Sequence, residues 1–415
     1  MLPKTAQTNE IRAWQEDLYR DLHQHPELSH QEHRTADLVA DLLRQAGFDV
    51  HTGVGGTGVV GVLRNGEGPT VLLRADMDAL PVREDTGLPY ASTVTAVPVG
   101  GDAETPVMHA CGHDVHTVCL AGAALLLADG QKDWRGTLIA AFQPAEETIN
   151  GAQGMVDGGL AALTGKVDVA LGQHVIPLPA GKLATISGPA LAGGASIRVT
   201  VYGRGGHASM PQNTVDPVLI AAAIVLRLQS IVSREIDPAD AAVLTVGSVQ
   251  AGTKANIIAD HAELLINIRY YKESVREAML GSIRRIVAAE CAAAGSPREP
   301  EFDVYENAPL TDNDPGVTAR VTAAFTDAFG ADTMITAPLL TGSEDFSDLA
   351  RGVSAPYTYW LLGGTDPELY SEAVAAGTVA RDIPVNHSPR YAPVIQPTLD
   401  VGTAALVTAA LAWLG

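Results

Sequence analysis

Strand-like and helix-like segments alternate in the first part of this sequence, and this alternation restricts the chain to few fold classes. Short apolar runs bounded by glycine occur at 58–63, 70–73 and 137–142, which is typical of buried strands. Between the last two runs, residues 115–128 have the composition of a buried helix. Alternating strands and helices form an α/β sheet, and polar groups at its strand ends are well placed to bind ligands. We therefore expect ligand groups directly after the apolar runs.

The pattern changes near residue 190 and returns after about residue 305, which indicates an inserted domain. The inserted segment has strand patterns at 196–201, 243–249 and 262–270 and helix patterns at 217–231 and 274–294. The first pattern resumes with a predicted helix at 315–329 and a strand at 357–362. We predict an α/β catalytic domain with a mixed sheet, in two parts at 1–189 and 306–415, interrupted by a smaller α+β domain at 190–305.

The charge of the chain argues against a nucleic acid or an anionic membrane as its partner. Lys and Arg total 27 against 48 Asp and Glu, for a formal net charge of −21. The apolar stretches at 118–128 and 404–414 are too short or too interrupted to cross a bilayer, which needs about 20 residues, and we predict that both are buried helices. The three cysteines form no disulfide framework, and the polar N-terminus has no export signal, so we expect a cytoplasmic protein with a small-molecule partner.

Cys111 and His113 lie in the densest cluster of chemically reactive residues, directly before the first predicted buried helix. In an extended segment, side chains two residues apart point the same way, so both can reach one cation. Taken alone, such a pair is more often a buried thiol beside a surface histidine, so the metal interpretation needs further ligands. His109 and His116 flank the pair and are candidates for orienting it.

Four further side chains could complete a metal site. Glu146 and Glu147 follow an apolar run, and adjacent carboxylates diverge, so one can bind a metal while the other acts as general base. A solvated acidic turn is the alternative interpretation. His174 follows another apolar stretch, and His387 lies in a proline-rich segment. A thiolate, three imidazoles and a carboxylate form the ligand set of a two-metal site, which Zn²⁺, Mn²⁺, Co²⁺ or Ni²⁺ would accept.

Other acidic residues and histidines carry less information. Asp76 and Asp78 directly follow a predicted strand, and the sequence leaves open whether they bind a metal or orient its ligands. Four histidines crowd an amphipathic helical stretch, where we expect solvated side chains rather than ligands. These are His23, His25, His30 and His33.

Five motifs occur in an order that identifies a family. They are LRADMDALP at 73–81, MHACGHD at 108–114, QPAEE at 143–147, GGHAS at 205–209 and GSEDF at 342–346. On these motifs, residues 15–400 resemble the amidohydrolase branch of the dinuclear metallopeptidases. That branch includes N-acyl-amino-acid amidohydrolases (aminoacylases), hippurate hydrolase and the plant auxin-conjugate hydrolases, and carboxypeptidase G is a more distant relative.

The resemblance implies metal-dependent hydrolysis of the amide bond of N-acyl amino acids, which gives a carboxylic acid and a free amino acid. It implies two divalent ions, with Zn²⁺ or Mn²⁺ favoured over Co²⁺ and Ni²⁺, and a general base at Glu146. The implied metal ligands are Cys111, His113, Glu147, His174 and His387.

The same resemblance implies that the insertion is a lid and dimerisation domain, so we expect a homodimer or larger homo-oligomer. Its His207 would help to hold the scissile carbonyl oxygen, and Asn256 and Arg269 lie where the family places groups near the substrate's carboxylate. The family's Asn-x-Ile-Pro is Asn-Ile-Ile-Ala at 256–259, so this loop lacks the fixed φ of proline.

Three other functions stay open at this point. A dipeptidase or carboxypeptidase would use the same metals. A different mechanism would make Cys111 a nucleophile activated by His113, and its activity would survive chelation but not alkylation. A non-catalytic binding module is the third, and the intact Glu146–Glu147 pair argues against it.

Overall fold

A computed structural model describes residues 9–337 and 339–415 of this chain. The α-helices in these ranges are α1 (Asn9–Gln24), α2 (His33–Gln45), α3 (His113–Asp129), α4 (Gly151–Asp157), α5 (Leu160–Thr164), α6 (Pro217–Arg234), α7 (Glu273–Ala293), α8 (Pro315–Phe329), α9 (Phe346–Gly352), α10 (Pro367–Ala376), α11 (Val379–Asp382) and α12 (Ile395–Leu414). The strands are β1 (Asp49–Val54), β2 (Gly58–Asn65), β3 (Thr70–Asp76), β4 (Thr95–Ala96), β5 (Thr105–Pro106), β6 (Gly136–Gln143), β7 (Val169–Pro179), β8 (Leu183–Thr185), β9 (Gly188–Leu191), β10 (Gly193–Tyr202), β11 (Gly206–His207), β12 (Ala242–Ala251), β13 (Ile257–Ile258), β14 (His261–Tyr270), β15 (Glu301–Ala308), β16 (Thr311–Asn313), β17 (Met334–Thr336) and β18 (Tyr357–Thr365).

The chain divides into two compact units. The first consists of the described residues up to Ala190 together with 312–337 and 345–415, and the second consists of 191–311 and 339–344. Strand β15 pairs with β10 in the sheet of the second unit, so the domain end predicted at residue 305 falls inside this strand. Most of β15 is exposed and its sequence has no apolar run, which is why the sequence pattern does not reveal it.

A mixed eight-stranded sheet forms the first unit, in the order β1-β2-β6-β3-β7-β18-β8-β17, as the sequence predicts for an α/β fold. β2 pairs antiparallel with β1 and β6, whereas β3, β6, β7 and β18 run parallel to their neighbours in that series. Helices α3 and α12 pack on this sheet. The shared core is apolar and includes Leu73, Val118, Leu138, Trp360 and Leu406, whose burial stabilises the unit by about 1.5–3 kcal/mol per large side chain.

The carboxyl ends of β3 and β6 and the middle of β7 lie at the same level of the sheet. Asp76 at the end of β3 is paired with Gln143 at the end of β6. Arg74 is paired with Gly172, two residues before His174 on β7. The parallel directions of these strands therefore bring together the polar residues that follow each apolar run.

The second unit is an antiparallel sheet covered by two helices. Its four strands have the order β12-β14-β10-β15, and a short ribbon of β11 and β13 lies apart from them. Burial alternates along β14, where Leu264, Ile266 and Ile268 face the core formed with α6 and α7. The period-2 pattern of the sequence thus corresponds to a sheet with one covered face.

Helices α6 and α12 are long and apolar enough to cross a membrane if only length and composition are considered. Each also belongs to the core of its unit. Helix α12 is mostly buried, and α6 packs Ile220, Ile224 and Leu228 into the core of the second unit. Length and composition are therefore weak evidence for a membrane span, and the predicted burial of residues 404–414 fits α12.

Candidate metal centre

The first unit brings together the five side chains that the sequence singles out as metal ligands. Cys111 and His113 lie at the start of α3, Glu147 follows β6, and His174 lies on β7. His387 lies in an irregular loop. Its own backbone N–H donates to the carbonyl oxygen of Ala110 at 2.8 Å. That hydrogen bond ties the loop to the segment that carries Cys111.

The ligand atoms form two groups that share one sulfur. In each group, the potential ligand atoms lie within 4.8 Å of one another: Cys111, His113 and His174 form one group, and Cys111, Glu147 and His387 form the other. The distance from Cys111 Sγ to His174 Nε2 is 3.5 Å, and that from His387 Nε2 to Glu147 Oε1 is 3.4 Å. Mixed sulfur, nitrogen and oxygen donors at such distances fit two divalent transition ions.

Hydrogen bonds fix the histidine tautomers in the form that metal binding needs. His113 Nδ1 donates to the carbonyl oxygen of Asp78 at 2.9 Å, and His174 Nδ1 donates to that of Val175 at 2.8 Å. When neutral, each ring therefore presents the lone pair of Nε2 to the centre. His113 Nε2 and Glu147 Oε1 are buried and have no hydrogen-bond partner among the described residues. Because buried polar atoms are rarely left unpaired, these two orphaned atoms also fit a metal site.

Gly112 determines how Cys111 and His113 are presented. Its φ is +84°, in the left-handed region that favours glycine, and a Cβ there would lie 2.4 Å from Cγ1 of Val175. The residue between the two ligands must therefore be glycine for α3 to begin where it does.

Glu146 lies beside both groups, next to Glu147. It is buried, with 5 % of its surface exposed, and its Oε2 lies 3.9 Å from His113 Nε2. Glu147 Oε1 is at the same distance from His113 Nε2. Carboxylate oxygens of Glu146 and Glu147 lie within 4.8 Å of each other, so the adjacent carboxylates converge on one imidazole rather than diverge as the sequence suggested. One can bind a metal while the other transfers protons.

The surroundings raise the pKa of three candidate ligands. Burial by itself lowers the pKa of His113, but the charges of Asp76 and Cys111 raise it well above its usual value. Close approach to Cys111 and Glu147 raises the pKa of His387 to about 10. Burial raises the pKa of the Cys111 thiol. A metal ion must displace these protons, because imidazole binds metal when neutral and cysteine binds it as thiolate.

We expect metal binding to release protons at pH 7 and the apparent metal affinity to fall as the pH is lowered. His113 and His387, with raised pKa values, hold protons at that pH and must lose them on ligation. Calorimetric titration of Zn²⁺ into chelator-treated protein, in buffers of different ionisation enthalpy, counts the protons released per ion. A count indistinguishable from zero would contradict this assignment of ligands.

The structure shows the hydrogen-bond partners of Asp76 and Asp78, whose roles the sequence leaves open. Asp76 accepts hydrogen bonds from Arg74 Nη1 at 2.8 Å and from His116 Nδ1 at 2.5 Å. Asp78 Oδ2 accepts the N–H of Glu147 at 3.0 Å, while its carbonyl oxygen accepts from His113. Asp78 therefore contacts two candidate ligands, which the motif alone could not indicate.

Asn386 is a further residue of the centre that sequence reasoning missed. Its Nδ2 donates to the carbonyl oxygens of Cys111 and Val175, both at 3.1 Å. The one available signal is its position directly before His387, since the side chain next to a loop ligand often holds the loop.

The prediction that the histidines of the first helices are solvated is wrong for His23. Its ring is fully buried, with Nδ1 2.7 Å from Asp114 Oδ2 and Nε2 3.1 Å from Glu84 Oε1. Burial by itself lowers the pKa of His23, but the hydrogen bonds to Asp114 and Glu84 raise it to about 10. The amphipathic pattern fails here because the polar partners of His23 come from distant parts of the chain.

His23→Ala is expected to lower the free energy of unfolding by about 3–5 kcal/mol, because it leaves two buried carboxylates without their cation. The folded-state pKa of about 10 exceeds the ordinary 6.5, so the imidazolium stabilises fully below pH 6.5 and the effect is lost as the pH rises through 10. Denaturant unfolding at pH 6 and pH 10 measures this. His25→Ala is the matched control, since His25 is half exposed. Equal effects of the two substitutions would contradict the assignment.

The other predicted residues lie in the second unit. His207 is exposed on β11, and the N–H of Ser209 donates to its Nδ1 at 3.1 Å, so a neutral ring carries its proton on Nε2. The exposed Asn256 lies beside it, where its carbonyl oxygen accepts the N–H of Ala208. Arg269 lies on β14 of the four-stranded sheet, whereas His207 lies on the separate ribbon of β11 and β13.

Comparison with known proteins agrees with this geometry. Residues 72–377 match the family model described as Peptidase family M20/M25/M40. The chain is 39 % identical over 361 residues to thermostable carboxypeptidase 1 of Saccharolobus solfataricus, covering 85 % of this chain and 86 % of the relative. It is 35 % identical over 353 residues to N-acetylcysteine deacetylase of Bacillus subtilis, covering 84 % and 88 %.

A solved structure also matches nearly the whole chain. The YXEP protein of Bacillus subtilis, described as a dinuclear metal binding peptidase from the M20 family, superposes with a TM-score of 0.77 at 27 % identity, covering 97 % of this chain and 99 % of that one. The sequence, the fold and the donor set therefore agree, and this chain belongs to peptidase family M20/M25/M40 as a metal-dependent amidohydrolase.

Proposed function

We propose that this protein hydrolyses N-acyl amino acids to a carboxylic acid and a free amino acid, with two divalent ions bound in the first unit. The observation that carries the proposal is the pair of ligand groups that share Cys111, with Glu146 beside them. N-acetylcysteine deacetylase, at 35 % identity, is named for this type of reaction. Zn²⁺ or Mn²⁺ is the proposed metal, and Co²⁺ or Ni²⁺ would suit the same donors.

The two groups divide the ligands between two ions. Cys111, His113 and His174 would hold one ion, and Cys111, Glu147 and His387 would hold the other. Bound divalent ions supply Lewis acidity, which polarises the amide carbonyl and makes water a nucleophile near neutral pH.

Glu146 moves the proton in the proposed reaction. Its carboxylate takes a proton from the attacking water as a general base, and the resulting acid then gives that proton to the leaving nitrogen. Glu146 is not needed to complete either ligand group that contains Cys111, whereas Glu147 belongs to one of them. This difference supports Glu146, rather than Glu147, as the proton carrier.

His207 is the proposed donor to the substrate's carbonyl oxygen. Because Ser209 occupies its Nδ1, the exposed Nε2–H is available to stabilise negative charge on that oxygen. Asn256 neighbours His207 on the same ribbon and is proposed as a further substrate contact.

Arg269 is the proposed partner of the substrate's carboxylate. The guanidinium is half buried, and its hydrogen bonds go to neutral groups, from Nε to Asn267 Oδ1 at 3.2 Å and from Nη1 to Ser343 Oγ. No carboxylate lies within ion-pair distance of it among the described residues. An unneutralised guanidinium in such surroundings favours a carboxylate ligand.

A substrate panel tests the proposed substrate class. We expect cleavage of N-acetyl, N-benzoyl or longer N-acyl amino acids, and at least 10-fold lower kcat/KM for the matching amino-acid amides, which lack the carboxylate. Arg269→Gln should remove that preference, whereas Arg198→Gln on the neighbouring strand should keep it, since Arg198 is exposed and paired with Glu263. Equal rates on acids and amides would contradict the proposal.

A dipeptidase or carboxypeptidase is the second candidate, because the Saccharolobus solfataricus relative at 39 % identity is named a carboxypeptidase. Dipeptides with a free amino group, included in the same panel, separate the two functions. Faster cleavage of dipeptides than of N-acyl amino acids would favour this second candidate.

We further propose that the second unit is a lid and dimerisation domain. Strand β12 is an edge of its sheet, and α6 on that sheet exposes Leu219 and Leu226 to 69 % and 77 %. Apolar side chains beside an open sheet edge suit a second copy of the chain. Light scattering should give a dimer or larger oligomer that Leu226→Glu dissociates, and a monomeric wild-type protein would contradict this.

We propose a cytoplasmic location on the chemistry of the thiols. Cys111, Cys119 and Cys291 are all free and buried. A reducing compartment keeps Cys111 available as a metal ligand. Cell fractionation tests this, and recovery of the active protein outside the cytoplasm would contradict it.

A further inference from the structure

A buried carboxylate from a distant part of the chain holds the turn that carries Glu146 and Glu147. Glu32 is fully buried at the N-cap position of α2, but its side chain makes no capping hydrogen bond to that helix. Its Oε1 accepts the N–H of Ala145 at 2.8 Å and that of His30 at 3.0 Å, and its Oε2 accepts the hydroxyl of Thr57. We propose that Glu32 is a positioning residue that directs Glu146 toward the reaction, an inference that rests on the proposed function.

The turn is strained and needs contacts from outside itself. Ala145 has a φ of +51° and Ile149 a φ of +54°, in the left-handed region that non-glycine residues rarely adopt. Each such residue costs about 1–2 kcal/mol. A Cβ on Gly151 would lie 1.7 Å from the carbonyl oxygen of Pro144, so the turn also closes tightly on itself. Strain of this kind persists where surrounding groups hold it and is frequent at functional sites.

Two buried carboxylates hold the backbone on either side of Glu146. Glu32 accepts the N–H of Ala145, and Asp78 accepts the N–H of Glu147 at 3.0 Å. The general base therefore lies between two anchored amide groups. Asp78 is in turn held by the hydroxyl of Ser29 at 2.7 Å, so the segment at 29–32 supports both anchors.

Burial of the Glu32 carboxylate costs free energy, because it removes a charged group from water. No cationic side chain lies within 4.0 Å of its carboxylate among the described residues. Burial and the charge of Asp78 raise the pKa of Glu32 to about 6. A buried carboxylate without a cation contributes little to the free energy of unfolding. Its presence here therefore agrees with a role in shaping the turn.

Glu32→Met tests the proposal, because methionine keeps the length of the side chain and removes the acceptor for Ala145. We expect kcat to fall about 10²-fold with KM changed less than 3-fold and both metal ions retained, since a displacement near 1 Å costs that much. Glu32→Gln should recover most of kcat, because its amide oxygen still accepts the N–H of Ala145 and Thr57 can reverse its hydroxyl.

Glu27→Gln is the matched control. The Glu27 carboxylate caps α2 by accepting from the N–H groups of Arg34 and Thr35, both at 2.8 Å, and it does not contact the turn. If Glu32 only stabilised the fold, Glu32→Met would lower stability, as Glu27→Gln is expected to do, without a selective loss of kcat. A Glu32→Met enzyme with the kcat of the Glu27→Gln enzyme would overturn the proposal.

Hydrogen exchange supplies a readout that needs no substrate. A peptide covering residues 143–151 should lose protection in Glu32→Met and keep it in Glu27→Gln. Unchanged protection in Glu32→Met overturns the proposal even if the wild-type protein cleaves no N-acyl amino acid, which would refute only the proposed function.

If Glu32→Met does not fold, Thr57→Val is the second variant, because it removes one hydrogen bond to the Glu32 carboxylate and leaves the carboxylate in place. We expect a 3- to 10-fold lower kcat for it, and wild-type kcat with wild-type protection overturns the proposal.

Discussion

Glu146→Gln is expected to lower kcat for amide hydrolysis by roughly 10²- to 10⁴-fold while the protein keeps two bound ions. The substitution preserves size and removes the proton acceptor beside His113. Neither ligand group that contains Cys111 includes Glu146, so metal content should stay at the wild-type level. Steady-state kinetics on an N-acyl amino acid, with metal analysis of the same sample, measures both quantities.

Glu147→Gln is the matched control, since it changes the adjacent carboxylate. Glu147 belongs to the group with His387, so this variant should lose metal as well as activity. The contrast separates a proton carrier from a ligand. If Glu146→Gln loses metal and Glu147→Gln retains it, the roles of the two carboxylates are reversed and the proposed mechanism is wrong.

Cys111→Ala is expected to weaken the binding of both ions, by at least about 10²-fold for each. Cys111 is the one residue that both ligand groups share, so its removal would take a candidate donor from each group. Loss of a group that merely orients ligands already costs about 10- to 100-fold in metal affinity. Competition with a coloured chelator measures the two affinities, and hydrolysis should be absent at micromolar metal.

Cys119→Ala is the control for the loss of a buried thiol. Cys119 is fully buried within α3, and its thiol belongs to no candidate ligand group among the described residues. That variant should bind two ions like the wild type. A Cys111→Ala protein that keeps both ions but loses activity would favour the alternative in which Cys111 is a nucleophile.

The sequence predicts much of the centre because its residues follow regular elements. Cys111 and His113 precede a recognisable helix, and Glu146, Glu147 and His174 follow or lie in apolar strands. The parallel arrangement of β3, β6 and β7 then brings these positions to one edge of the sheet, which is a general property of α/β folds.

The supporting contacts could not be predicted because they join distant segments. Glu32 and Ala145 are 113 residues apart, and His23 and Asp114 are 91 apart. Local patterns report whether a residue faces the core or the solvent, but not which partner satisfies a buried polar group. The end of the inserted segment was missed for a related reason, since β15 is an exposed edge strand without an apolar run.

Metal titration of the chelator-treated protein tests the central claim most directly. Activity on an N-acyl amino acid is followed as Zn²⁺ or Mn²⁺ is added, and bound metal is measured on the same samples. The two ligand groups that share Cys111 predict no hydrolysis before metal is added and full activity at two ions per chain. Hydrolysis that persists in the metal-free protein, or that is complete with less than one ion per chain, would contradict the account.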